Sequence, residues 1–93
     1  MRLKPEEIET IRATVQQADP DAVVYLFGSR LDDSAKGGDI DLLVESQKLS
    51  PAQRRKLQEE LFVNLGLQRV DLVVTADYRE PFARVVRAEG VRL

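Results

Sequence analysis

The sequence predicts a small α/β fold, a mixed β-sheet with helices packed mainly on one face. Three observations predict it. Two stretches, Lys4 to Ala18 and Ser50 to Gly66, repeat apolar residues at helical spacing. Short runs rich in β-formers, Val23 to Phe27, Asp39 to Glu45 and Leu67 to Thr75, fall between and after them. With 93 residues, 43% hydrophobic and 32% charged, the composition is ordinarily globular and the length suits one domain over residues 1–93.

The first helix opens at Pro5, whose fixed φ suits the first helical position, and Glu6 and Glu7 favour its N-terminal dipole. Ile8, Ile11, Val15 and Ala18 make its apolar face, and Asp19-Pro20-Asp21 stops it. Ala22 to Phe27 follows as a strand apolar on both faces, which places it centrally in the sheet. After the Gly28-Ser29 turn comes a polar excursion, with a short helix expected over Ser29 to Ala35 and a loose turn at Gly37-Gly38. The next strand starts at Asp39, close enough to pair antiparallel with the first. Ser50 caps a second helix with Pro51 at its first position, Leu57, Leu61, Phe62 and Leu65 as its buried stripe, and Gly66 at its end. Leu67 to Thr75 reads as a third strand, Pro81 to Glu89 as a last helix with Phe82, Val85 and Val86 on one side, and Val91 to Leu93 as a final short strand.

Chemistry concentrates between Val23 and Glu45. Strand side chains alternate, so Asp39 and Asp41 share a face, roughly 6.5–7 Å apart along the chain, while Ile40, Leu42 and Val44 point to a core. Two carboxylates on an apolar strand are costly unless a cation neutralises them, and paired Asp oxygens suit Mg²⁺ together with substrate phosphates. The upstream Gly28-Ser29 turn can offer backbone N–H groups and a hydroxyl to phosphate oxygens. Arg30 is read equally well as a phosphate or acceptor contact and as a surface charge. Asp71 interrupts the apolar third strand and is either a third carboxylate of the site or an edge acid solvated or paired with Arg69. Lys36, Asp32 and Asp33 read as surface charges, Tyr25 as packing, and Tyr78 as a loop residue open to a partner or to modification.

Gly28-Ser29, nine residues, then Asp39-Ile40-Asp41, within the run FGSR…GGDIDLLVE, resembles the signature of the polymerase-β-like nucleotidyltransferase superfamily, and in so short a chain its minimal branch. Gly38 stands where Ser often precedes the first Asp in that pattern. The resemblance implies that Asp39, Asp41 and Asp71 hold one or two Mg²⁺ ions, and that Asp71 also serves as general base. It implies that Gly28, Ser29 and Arg30 bind the nucleotide, with ATP as donor. It further implies an antitoxin that adenylylates a hydroxyl on a HEPN-type toxin, and so a hetero-oligomer. So short a chain has no room for the acceptor-binding domains of larger members, which also points to a partner. Two rival readings are a non-catalytic module that masks its partner, and nucleotidyl transfer to a nucleic-acid 3′-hydroxyl.

Composition limits the rest. The sequence contains no Cys and no His, so thiolate and imidazole chemistry are excluded and a reducing cytoplasm fits. A net charge of −2 and a pI near 5.1 argue against a nucleic-acid-coating protein. The run Ala22 to Phe27 is far too short to cross a membrane, and no signal-peptide pattern opens the chain.

Overall fold

The computed structural model describes residues 1–32 and 38–93. Its elements follow the order α1 (Pro5–Ala18), β1 (Val23–Phe27), a 3₁₀ turn (Gly28–Leu31), β2 (Ile40–Glu45), α2 (Pro51–Asn64), β3 (Val70–Thr75), α3 (Pro81–Glu89) and β4 (Val91–Arg92). Sequence chemistry accounts for the helix ends. The Glu7 carboxylate accepts the Lys4 backbone N–H at 2.9 Å and so closes the start of α1. At α2 the box is reciprocal: Ser50 Oγ accepts the Gln53 N–H at 3.2 Å, and Gln53 Oε1 accepts the Ser50 N–H at 2.8 Å.

The third strand is shorter than the sequence suggests. Gly66 and Leu67 both have positive φ, with the Leu67 N–H donating to Phe62 O (2.8 Å) and the Gly66 N–H to Val63 O (3.2 Å). Those two bonds form a Schellman ending, which consumes Leu67 as part of the helix stop and delays β3 to Val70. Asp39 likewise precedes β2 rather than opening it. The expected Ser29–Ala35 helix appears within the described residues only as the 3₁₀ turn, and Asp33, Ala35, Lys36 and Gly37 lie outside them.

The strands assemble in the order β3-β2-β1-β4. β1 pairs antiparallel with both β2 and β4, so it is central as expected, while β2 and β3 run parallel with α2 as the crossover. On one face, Val24, Leu26, Ile40, Leu42, Val44, Val70 and Leu72 pack under α1 and α2 against Ile11, Val15, Leu57 and Leu61. On the other face, α3 covers Leu43 with Ala83 and Val86, joined by Tyr25, Phe27 and Val73. Two of the three helices thus share one face.

Tyr78 corrects the sequence reading. It is only 7% exposed, donates its hydroxyl to Glu45 Oε1 at 2.9 Å and stacks beneath the Arg87 guanidinium at 4.1 Å. Burial, and then its hydrogen bonds with Tyr25 and Glu45, hold its phenol well above the usual range, so it is a neutral core group and not a surface contact. Conversely, Phe62, expected in the buried stripe of α2, is 39% exposed, and Phe82 and Val85 on α3 are 50% and 52% exposed. Among the described residues no helix is long and apolar enough to cross a membrane.

Candidate active site

The parallel register of β2 and β3 sets Asp41 directly beside Asp71, and the antiparallel register of β1 and β2 sets Phe27 on the other side of Asp41. Side chains of paired residues project to the same face. Asp41 therefore shares with Leu43, Tyr25 and Val73 the face that α3 partly covers, and it lies where that cover ends. Burial raises the Asp41 carboxyl above the ordinary Asp value. The Asp71 charge, a hydrogen bond shared with Asp71, and the Asp39 charge raise it further. Two carboxyls can share a hydrogen bond only when one keeps a proton, which is how crowded acids relieve their repulsion without a cation.

Asp39 stands apart from that pair and reaches Arg69 Nε at 3.8 Å. Arg69 therefore pairs with Asp39, whereas the sequence offered it as a partner for Asp71. Among the described residues no group of three or more acidic side chains already converges as a ligand set. The donor chemistry nonetheless fits a divalent ion. The oxygens are hard, the carboxylates crowd, and a cation between them would offset the repulsion that raises the Asp41 carboxyl.

Gly28 follows β1 at the edge of this cluster. Its φ of +79° is one that residues with a side chain rarely adopt, and a Cβ here would overlap the Asp41 carboxylate. The glycine therefore lets the turn approach the acid. Ser29 is exposed next to it, and its hydroxyl lies against Gly38, where φ is +94°. The turn and the carboxylates are thus neighbours, as the spacing suggests.

Arg30 is more deeply engaged than its sequence context indicates. Its Nε donates to Gly38 O (3.2 Å), Nη1 to Arg2 O (3.0 Å) and Nη2 to Gln68 Oε1 (3.0 Å). Arg2 returns the contact, donating its backbone N–H to Arg30 O (2.7 Å), Nε to Asp32 O (2.8 Å) and Nη2 to Ser29 O (2.9 Å). Sequence reasoning missed Arg2 and Gln68, which lie outside every motif and every apolar period. A shallow cleft of ≈ 270 Å³, lined by Gln58, Glu59, Phe62, Arg69, Val70 and Asp71, opens alongside the carboxylates.

A glycine turn set against the paired carboxylates Asp41 and Asp71 on a mixed sheet is the arrangement expected of a nucleotidyltransferase. The chain belongs to the nucleotidyltransferase-domain family, whose profile matches residues 8–93, and within it to the minimal branch of the polymerase-β-like superfamily. Among known proteins it is similar to the "Probable protein adenylyltransferase MntA" of Haemophilus influenzae, with 34% identity over 87 residues, covering 91% of this chain and 76% of the relative.

Proposed function

We propose that this nucleotidyltransferase transfers AMP from ATP to a hydroxyl of a partner protein, and that the partner is a HEPN-type toxin which the transfer neutralises in the cytoplasm. The observation that carries the reading is the pairing of Asp41 with Asp71 beside the Gly28 turn. The relative named as a protein adenylyltransferase supports the choice of donor and of a protein acceptor. In this reading residues 1–93 act as one domain.

Asp39, Asp41 and Asp71 would hold one or two Mg²⁺ ions. Bound there, the metal would neutralise charge on the triphosphate and on the pyrophosphate that leaves. Gly28 and Ser29 cradle phosphate oxygens with backbone N–H groups and the hydroxyl. Asp71, exposed at the edge of the pair, accepts the proton of the acceptor hydroxyl as its oxygen bonds to the α-phosphorus and the α–β phosphoanhydride bond breaks. The half-exposed Phe82 and Val85 on α3 give the partner an apolar surface next to the site.

The test incubates purified protein and Mg²⁺ with host-cell lysate and ATP labelled at either the α or the γ phosphate. A discrete protein band labelled from α only, and absent with Asp39→Asn/Asp41→Asn, is expected. A γ-only signal would mean phosphoryl transfer and sink the mechanism. Label appearing in nucleic acid would move the acceptor to a 3′-hydroxyl, and no label despite a co-purifying partner would favour masking.

A further inference from the structure

Arginine carries five N–H donors in a rigid fork, and the way they are spent reveals what the residue is for. Three of those donors of Arg30 end on Gly38 O, Arg2 O and Gln68 Oε1. The first matters most, because the Gly38 carbonyl belongs to the peptide unit that leads directly into Asp39. The Ser29 hydroxyl lies where a side chain on Gly38 would project, so the two turns approach closely here. One side chain therefore spans from the residue after Ser29 to the residue before Asp39, on a guanidinium whose orientation is set elsewhere.

The setting comes from Gln68. Its amide oxygen accepts from Arg30, while its Nε2 donates to Glu7 Oε2 at 2.6 Å and to Leu65 O at 2.8 Å. Glu7 is in turn fixed by the Lys4 N–H. Burial opposes its ionisation, but the Gln68 hydrogen bond, the Lys4 backbone and the Arg30 charge outweigh it and hold the carboxyl below the usual range. Glu7, Gln68 and Arg30 form a chain from the first turn of α1, past the end of α2, to the backbone of the candidate site.

We propose that Arg30 is a positioning residue: through Gln68 and Glu7 it fixes the spacing between the Gly28-Ser29 turn and Asp39, so that it governs metal affinity and not nucleotide contact. This rests on the metal-binding reading of Asp39, Asp41 and Asp71 given above. Residues that orient ligands from behind typically change metal affinity about 10–100-fold when replaced.

The test measures Mn²⁺ binding to nucleotide-free protein by electron paramagnetic resonance, and ATP binding separately in EDTA. Arg30→Lys keeps the charge and loses the fork; it should weaken Mn²⁺ binding about tenfold or more and leave ATP binding in EDTA unchanged. Gln68→Glu places a second carboxylate against Glu7 and should weaken Mn²⁺ binding as well. The exchange Glu7→Gln with Gln68→Glu rebuilds the hydrogen bond between the two side chains with its polarity reversed, forfeits the one to Leu65 O, and should restore part of the affinity. Thermal melting identifies any single variant that fails to fold, and the exchange, which preserves net charge, then decides the matter. Unchanged Mn²⁺ affinity with weakened ATP binding in Arg30→Lys would overturn the inference and make Arg30 a phosphate ligand. An exchange variant no better than Gln68→Glu would overturn it too. Wild-type protein that binds no Mn²⁺ even with ATP present would instead bring down the metal-binding reading, and this inference with it.

Discussion

Asp41 holds its proton more tightly folded than unfolded, because burial and the charges of Asp71 and Asp39 all disfavour its ionised form. For an acid with a raised pKa, stability declines as pH rises from the ordinary value of 3.8 towards the folded one. At neutral pH the metal-free protein is therefore strained at its own site, as is common where function demands crowded charge. Asp41→Asn should melt at a higher temperature than wild type at pH 7 in EDTA, with the gap closing well below pH 3.8. A variant that melts lower at pH 7 would contradict this account. At this scale much was legible in the sequence. The spacing of Gly28, Ser29, Asp39 and Asp41 singled them out, and an Asp inside the apolar run Val70–Thr75 drew notice to Asp71. What the sequence could not give was Gln68, a polar residue in a connecting loop with no periodic signal. Nor could it show that Arg30 turns its donors inward to Gly38 and Gln68.

At the scale of elements, α2 and β3 show how a helix protects a sheet edge. β3 is an outer strand, and its free carbonyls at Val70 and Leu72 accept from Gln58 Nε2 at 2.8 Å and Arg54 Nη2 at 3.4 Å. Side chains of the crossover helix thus occupy acceptors that would otherwise invite another strand. Gln58→Ala should lower unfolding stability by about 1 kcal/mol in urea titration. A midpoint unchanged within error would show that water satisfies Val70 equally well. Helix starts were legible because Pro5, Ser50-Pro51 and Pro81 have local meaning, and all three helices begin there. The start of β3 was not. Leu67 looks like a strand residue until the Schellman hydrogen bonds claim it, and those depend on backbone geometry rather than side-chain type. The stripe of α2 misled at Phe62 because that helix meets the sheet along a narrower line than its apolar width.

For the molecule as a whole, the end of the sheet away from the carboxylates is braced by Asp19. Its carboxylate accepts the Ser46 hydroxyl at 2.6 Å and the Asp21 N–H at 3.0 Å, joining the end of α1 to the end of β2. The Ser46 bond, then the Asp21 N–H, hold its carboxyl below the usual range against the cost of burial. A depressed acid contributes stability above the unfolded value of 3.8 and loses it as pH falls through the folded one. Ser46→Ala should destabilise the fold at pH 7 by about 1–2 kcal/mol, and that deficit should shrink below pH 3.8. A deficit independent of pH would mean that Ser46 acts through packing alone. The central place of β1 was legible in its unbroken apolar character, and its antiparallel pairing with β2 in the short connection between them.

The register of β2 against β3 also sets an order of events in time. Asp41 and Asp71 are separated by about thirty residues of chain, and closing so long a loop is entropically unrewarded until the parallel strands lock together. A nascent chain that has made its first hairpin already carries Gly28, Ser29, Asp39 and Asp41, yet lacks Asp71, the strand partner of Asp41. In the proposed reading, the pairing of Asp41 with Asp71 therefore waits on β3, and a chain that has made only its first hairpin lacks it.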